Sequence, residues 1–448
     1  MPFKSFTTKK LLKTQFVILL TSLSGIFANN YAEATILNNS YKEVIDHVWQ
    51  IVYRDFLDSN GKFEKSNWID LRKELLSRKY SDSNEAYDAI RDLLSNLEDP
   101  YTRFLDPKEF NQMRIDTSGE LTGVGIQIVK DKESDNLIIV SPIEGSPAYE
   151  AGIKARDKIL SIDDISTKGM DIEDAVKLIR GERGTFVKLE ILRGGNSFYK
   201  SLSRERIEIK SVSSKINQTK NDLLIGYLRI KQFNANASRE MKNALKDLET
   251  KKVSGYILDL RNNPGGLLES SIDISRQFIN KGIIVSTLTK DGVKEIKRAN
   301  GQAITNKPLI VLVNEGSASA SEIVSGAIRD NKRGKLVGTT TFGKGLVQSM
   351  RTLVDGSGLT VTVAKYLTPN GTDINKFGIR PDIEVKMNTN PILPREIGTR
   401  RDKQYKVGEQ ELIKIIQIQN KISQFDPETT NLNALKKNNE KNLVFSLY

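Results

Sequence analysis

Residues 309–328 read LIVLVNEGSASASEIVSGAI, and this passage decides the fold. Leu309 to Val313 is a short apolar run that reads as a strand. A small-residue turn follows at once, and Ala320 to Ile328 then reads as a helix. Strand, tight turn and helix make half of an α/β unit. The same alternation extends outward from this passage. Leu224 to Ile230, Gly255 to Leu260 and Ile283 to Leu288 are strand candidates, while Ser238 to Leu248 and Leu268 to Phe278 are helical. The pattern predicts an α/β layer with a mostly parallel sheet, whose binding groups sit in the turns that leave the strands.

Two other regions read differently. Residues 41–115 are mainly helical, with Val44, Ile45, Val48, Ile51, Val52 and Phe56 at helical spacing and a second pattern from Glu85 to Leu97. Asp99-Pro100 ends that helix, because proline biases the preceding residue out of the helical region. Residues 119–205 predict a small β-rich module. Its strands are Gly123–Val129, Leu137–Val140, Asp157–Ile162 and Val187–Leu192, with a short helix opening at Ser146-Pro147 and another over Ile172–Ile179. Beyond about residue 390 the pattern weakens to a terminal helix over Glu409–Ile422 and a tail.

Composition removes whole classes of chemistry. The 448 residues contain no cysteine and one histidine, His47. Disulfides, a Cys nucleophile and a Cys/His zinc cluster are excluded. A Ser-His-Asp triad would need His47, on the first helix. The net charge of +12 comes from lysines scattered among acids, without aromatic interleaving, so nucleic-acid binding is not expected. A basic surface leaves peripheral association with anionic lipid open.

The N-terminus has the order of a secretory signal: Lys4, Lys9, Lys10 and Lys13, an apolar stretch from Phe16 to Phe27, and Ala32-Glu33-Ala34. An uncleaved anchor is the alternative. Cleavage after Ala34 removes four lysines and one glutamate and leaves a mature charge of +9. The expectation is an exported protein.

Three stretches could carry chemistry. In Asn314-Glu-Gly-Ser-Ala-Ser-Ala-Ser-Glu322, a serine at a helix start has backbone donors beside it, although the same residues are ordinary capping material. In Thr341-Phe-Gly-Lys344-Gly-Leu-Val-Gln348, a lysine between glycines could act as a base if burial favours its neutral form, and Gln348 could orient the amine without adding charge. The segment from Gly338 to Lys344 also matches most of a phosphate-binding loop, but Gly345 stands where Ser or Thr should hold magnesium. In Leu260-Arg-Asn-Asn-Pro-Gly-Gly266, a glycine turn can direct N–H groups at an anion, or can be a plain strand-to-helix turn.

Taken together, these three blocks resemble the active-site blocks of the carboxyl-terminal processing proteases, also called tail-specific proteases, of serine-peptidase type. The resemblance implies that Ser319 is the nucleophile, that Lys344, 25 positions later, is the base, and that Gln348 supports it. It also implies that the N–H groups of Gly265 and Ala320 form the oxyanion site. A serine–lysine dyad needs no histidine, and no metal or cofactor is called for. Residues 119–205 look like a PDZ domain, with Gly123, Val124, Gly125 and Ile126 as the peptide-carboxylate loop. There an extended peptide would add as a strand beside residues 126–129. The segment Leu97-Glu-Asp-Pro-Tyr-Thr-Arg-Phe-Leu105 is similar to family members from photosynthetic organisms.

The resulting expectation is a crotonase- or ClpP-like α/β core with a PDZ domain and an N-terminal helical segment. The divisions are 1–34 signal peptide, 35–115 helical region, 116–206 PDZ domain, 207–390 protease core and 391–448 C-terminal helix and tail. The expected activity is endoproteolysis of exported proteins near their free C-termini, in a periplasm or thylakoid lumen, with a membrane protein like the photosystem II D1 subunit as a substrate by analogy. A catalytically silent PDZ adaptor is the alternative.

Overall fold

The computed structural model describes residues 29–131, 134–292, 294–386 and 393–425. The basic and apolar parts of the proposed signal and the last residues of the tail lie outside them. Ala32 to Ala34 fall within a helix, Asn29–Asp55.

The central sheet has six strands in the order Val212–Gln218, Leu224–Ile230, Gly255–Asp259, Leu309–Val313, Lys335–Gly338 and Ile383–Glu384. The first pair is antiparallel and the remaining pairs are parallel. Side chains alternate between faces with the period of two that a strand imposes. Leu228, Leu258, Val311 and Leu336 face the helices Ala237–Thr250, Leu268–Phe278 and Ala320–Asp330. Tyr227, Ile257, Ile310, Leu312 and Val337 face Tyr405, Leu412 and Ile416 of the helix Lys403–Phe425. Burial on both faces explains why Leu309–Val313 is apolar without interruption.

A second sheet contacts the helices Leu268–Phe278 and Ala320–Asp330 through its strand Ile283–Thr289. Its long strand Gly358–Leu367 pairs with Arg103–Leu105, Ile283–Thr289 and Leu346–Thr352. The helices Asn29–Asp55, Lys65–Ser77 and Ser83–Ser95 share a core with Leu353, Leu359 and Val361. The N-terminal region is therefore packed on the sheet that carries the lysine block.

The β-rich module holds a sheet in the order Ile126–Lys130, Leu137–Pro142, Lys158–Ile162, Phe186–Arg193 and Asn196–Ser203, with its own core. The sequence pattern closes this module at Leu192, whereas the chain turns at Gly194-Gly195 and continues into the further strand Asn196–Ser203. The run Gly123–Val129 is not one strand: Gly123 ends a separate strand, Glu120–Gly123, that pairs with Glu205–Glu208, and the left-handed Gly125, φ 79°, interrupts the extended chain before Ile126–Lys130. Lys344 leads into the strand Leu346–Thr352 rather than a helix, so the phosphate-loop reading has neither its magnesium hydroxyl nor its helix.

Candidate active site

Three loops meet at the C-terminal ends of the parallel strands, where an open α/β sheet places its ligands. The first follows Gly255–Asp259, the second follows Leu309–Val313, and the third precedes Leu346–Thr352.

The first two loops are laced together. Asn262 N–H donates to Asn314 Oδ1 at 2.8 Å, and Asn314 Nδ2 returns a bond to Asn262 Oδ1 at 2.8 Å. Ala318 N–H donates to the Asn263 carbonyl at 3.0 Å. Ser317 Oγ donates to the Leu260 carbonyl at 2.8 Å and Ser321 Oγ to the Asn263 carbonyl at 2.9 Å. Both serines are fully buried. Their hydroxyls bind the neighbouring loop and do not cap the helix, which corrects the capping role that their position suggests. Ser319, between them, differs. It lines a cavity of about 1630 Å³ together with Lys344, Gln348, Gly265, Ala320 and Tyr366. Its backbone has φ 54° and ψ −113°, a conformation that a non-glycine residue adopts only when its surroundings impose it, at a cost of order 1–3 kcal/mol.

Glu322 imposes much of that geometry. Fully buried, it accepts from the Ser319 N–H at 2.8 Å and, through the same oxygen, from the Lys344 N–H at 2.9 Å. Its other oxygen accepts from Gly343 N–H at 2.7 Å and Thr341 Oγ1 at 2.6 Å. Tyr366 acts on the opposite polarity of the same two residues. Its hydroxyl lies 2.7 Å from the Lys344 carbonyl and 3.2 Å from the Ser319 carbonyl. Phe342 N–H completes the joint by donating to the Ser317 carbonyl at 3.0 Å. Neither Glu322 nor Tyr366 has a role in the sequence reading. The spacing Ser319-x-x-Glu322 is a helix-start signature, but it gives no sign that the carboxylate reaches a loop 22 positions away.

Lys344 is half-buried. Burial pushes its pKa below the ordinary lysine value and Arg103 adds to this, while Asp99 and Glu322 oppose it. Its Nζ lies over the Tyr101 ring, 4.5 Å from the centroid. Among the described residues no hydrogen bond joins it to Ser319 Oγ or to Gln348. Gln348 follows a register shift in its strand and lines the same cavity, and its Nε2 lies 3.4 Å from Thr362 Oγ1. His47, on the helix Asn29–Asp55, is not among the cavity residues.

The two expected oxyanion donors stand differently. Ala320 N–H is in the first turn of its helix, where N–H groups lack helical partners. Gly265 lies against Ser319, and a Cβ on it would meet the Ser319 Cβ at 2.8 Å and the Ala318 carbonyl at 2.8 Å. Its φ of 107° also requires glycine. Its N–H, however, donates to Asn263 Oδ1 at 2.9 Å. In this conformation the Gly265 donor is occupied by a side chain two residues back.

A buried ionic network fixes the first loop from below. Arg261 forms paired bonds to Asp259 at 2.9 and 2.6 Å and to Asp402 at 2.9 and 2.6 Å. Burial works against the guanidinium cation, but the two carboxylates more than offset it and raise its pKa. Tyr227 Oη adds a bond to Asp259 at 2.6 Å. Asp402 comes from the start of the C-terminal helical region, so that region is part of the site's foundation.

In the β-rich module, the carbonyls of Val124 and Gly125 point inward, accepting from Ala148 N–H at 2.9 Å and Ile143 N–H at 2.8 Å. Among the described residues the N–H groups of Val124 and Gly125 make no backbone bond. Gly125 has φ 79° and packs on Ser146, whose Oγ donates to the Gly125 carbonyl at 3.2 Å. Ile126 opens the strand that faces the helix Ile172–Ile179. The loop 123–126 does not line the large cavity, although that helix does, through Ile172 and Val176, with Arg180 just beyond its end.

Comparison with known proteins agrees with this architecture. Residues 224–385 match peptidase family S41 and residues 138–193 match a PDZ domain. A carboxyl-terminal-processing protease of Synechocystis sp. is 41% identical over 404 residues, covering 90% of this chain and 93% of its own length. The carboxy-terminal processing protease CtpA of Bacillus subtilis is 39% identical, over 78% of this chain and 74% of its own. Among solved structures, a photosystem II D1 C-terminal processing protease is 35% identical, with a TM-score of 0.51, covering 79% of this chain and 95% of the other. The chain belongs to the carboxyl-terminal processing proteases of peptidase family S41, serine-type endopeptidases that carry a PDZ domain.

Proposed function

We propose that this protease uses Ser319 as nucleophile and Lys344 as general base to cut exported proteins near their C-termini, with the PDZ domain selecting the chain end. The observation that carries this reading is that, of the three serines in the run 317–321, Ser319 alone opens onto the cavity that holds Lys344. Ser317 and Ser321 spend their hydroxyls on buried carbonyls.

Neutral Lys344 takes the Ser319 proton as Oγ attacks the scissile carbonyl. To reach Oγ, the amine leaves the Tyr101 ring by rotation about its four-carbon stem. The oxyanion is held by the Ala320 N–H and by the Gly265 N–H, the latter once it exchanges Asn263 Oδ1 for the substrate oxygen. The Lys344 ammonium then protonates the leaving amine. Water, deprotonated by the same lysine, releases the acyl-enzyme. Gln348 orients the amine without adding a charge. No step calls for a metal or cofactor.

Substrates are proteins with free C-termini. The chain end adds as a strand beside Ile126–Lys130, and its carboxylate sits on the N–H groups of residues 123–126. The relatives include a chloroplastic C-terminal processing peptidase of Tetradesmus obliquus and the photosystem II D1 processing protease named above. They support a lumenal or periplasmic location and a D1-like substrate tail. A silent adaptor would bind chain ends equally well, but it would have no use for a strained serine that shares a cavity with a half-buried lysine. The test is cleavage of a peptide with an apolar C-terminus, followed by mass spectrometry, with the terminus free or amidated. Faster cleavage of the free acid supports end selection, and equal rates contradict it. No cleavage of either, in a folded protein that still binds the peptide, would favour the adaptor.

A further inference from the structure

The segment 97–105 stands outside the match to the peptidase family, yet it forms a wall of the catalytic cavity through Tyr101 and Arg103. It is held there firmly. Asp99, buried, accepts from Tyr101 N–H at 3.2 Å and Thr102 Oγ1 at 2.7 Å. Thr360 Oγ1 donates to the Tyr101 carbonyl at 2.9 Å, and Thr362 N–H donates to Thr102 Oγ1 at 3.0 Å. Arg103 pairs in register with Thr360, on the strand that also carries Tyr366. With its backbone fixed at both ends, the Tyr101 ring is a rigid surface, and the Lys344 amine rests over it at 4.5 Å. Arg103 is exposed and makes no ion pair among the described residues, so its charge is uncompensated beside the same amine.

We propose that Tyr101 and Arg103 are positioning residues for Lys344: the ring seats the ammonium at rest, the guanidinium repels it, and the balance sets the pH at which the amine is released to Ser319. This rests on Lys344 being the base. An aromatic face attracts a cation and has little affinity for a neutral amine, so deprotonation itself loosens the seat. Arg103 works the other way, favouring the neutral form at close range. The other charged groups that bear on the amine are Asp99, on the same turn, and Glu322, on the nucleophile helix, both of which favour the cation; the Tyr366 phenol on the neighbouring strand lines the same cavity and is kept uncharged by burial. Glu322 is committed to four hydrogen bonds and Asp99 to two, so neither is free to follow the amine as it moves.

The two residues therefore pull the titration in opposite directions, which makes the proposal testable by sign. The measurement is the pH dependence of kcat/KM for peptide cleavage by the full chain. Tyr101→Leu should lower the midpoint of the rising limb by about 0.5–1 pH unit, because the cation loses its seat. Arg103→Gln should raise it by about 0.5 pH unit, because the cation loses its repulsion. Below the midpoint these correspond to a rate gain of about three- to tenfold and a rate loss of about threefold. Tyr101→Phe keeps the ring face and should keep the wild-type midpoint. The proposal is overturned if the Leu and Gln midpoints do not move, or move the same way. Because Arg103 is exposed and Phe replaces Tyr101 almost isosterically, those variants read out even if the Leu variant does not fold. Lys344→Arg separates the two levels of the account. If that variant is inactive while the midpoints stay together, only the seat is wrong. If it cleaves normally, the dyad is wrong and the seat falls with it.

Discussion

Glu322 and Lys344 are joined by a 2.9 Å hydrogen bond from the lysine's own backbone N–H to the buried carboxylate, and the same oxygen holds the backbone of Ser319 at 2.8 Å. One side chain thus ties the Ser319 loop to the Lys344 loop. The proposed dyad would be held less by a contact between Ser319 and Lys344 than by their common attachment, with the Tyr366 hydroxyl donating to the Lys344 carbonyl at 2.7 Å and lying 3.2 Å from the Ser319 carbonyl.

Replacement of this carboxylate should therefore damage catalysis more than substrate affinity. Glu322→Gln keeps the shape but presents an amide NH₂ to at least one of three N–H groups. Its kcat should fall by a hundredfold or more, with KM within about threefold, as expected for a group that acts on the transition-state geometry. Glu322→Ala leaves those N–H groups without partners and should also lower stability by about 3 kcal/mol or more. Steady-state kinetics and denaturant unfolding check both outcomes.

The Arg261–Asp402 pair predicts that the C-terminal helix cannot be removed without loss of the site. Asp402→Ala leaves a buried guanidinium short of one carboxylate, a change that costs about 3–5 kcal/mol. The loop that holds Gly265 should loosen with it. Chemical denaturation should show the loss of stability, and activity should fall even at temperatures where the variant stays folded. A wild-type unfolding curve would contradict the role given to this network.

The lowered pKa of Lys344 has a consequence for stability as well as for rate. Burial disfavours the ammonium in the folded chain, so the folded state binds the proton less readily than the unfolded one. This contribution is unfavourable below the folded pKa. It disappears as pH rises through the window between that pKa and the unfolded value of about 10.4. Lys344→Met removes the titration. The stability difference between Lys344→Met and wild type should be largest near neutral pH and should shrink as pH approaches 10. A difference independent of pH would contradict the shift.

Much of this was legible in the chain. The uninterrupted apolar run Leu309–Val313 reads as a strand, and in the fold it is buried at every position. Leu268–Phe278 and Ile172–Ile179 carried helix-period patterns strong enough to mark both ends correctly. The strand Leu346–Thr352 was not legible. Its Gln348, Met350 and Arg351 give no alternation, and its place depends on pairing with Gly358–Leu367, whose further partners are Ile283–Thr289 and Arg103–Leu105, the latter more than 250 positions away. The supports of the site were hidden for the same reason. Arg261 meets Asp402 across 141 positions, and Tyr101 meets Lys344 across the junction of two domains' worth of sequence. Local chemistry marks a serine at a helix start. Only the folded chain distinguishes the serine that faces a cavity from two that bind carbonyls.

The most direct test of the account is a comparison of single-serine variants by covalent labelling and turnover. Wild type and the Ser317→Ala and Ser321→Ala variants are each treated with a serine-directed acylating probe, and the modified residue is located by mass spectrometry. The account predicts labelling at Ser319 in all three, with cleavage retained in both neighbours although their stability drops by about 1–2 kcal/mol from lost buried hydrogen bonds. Ser319→Ala should take up no label and should lose several orders of magnitude in kcat while keeping its fold and its affinity for peptide C-termini. Labelling or turnover that persists in Ser319→Ala, and vanishes in Ser317→Ala or Ser321→Ala, would contradict it.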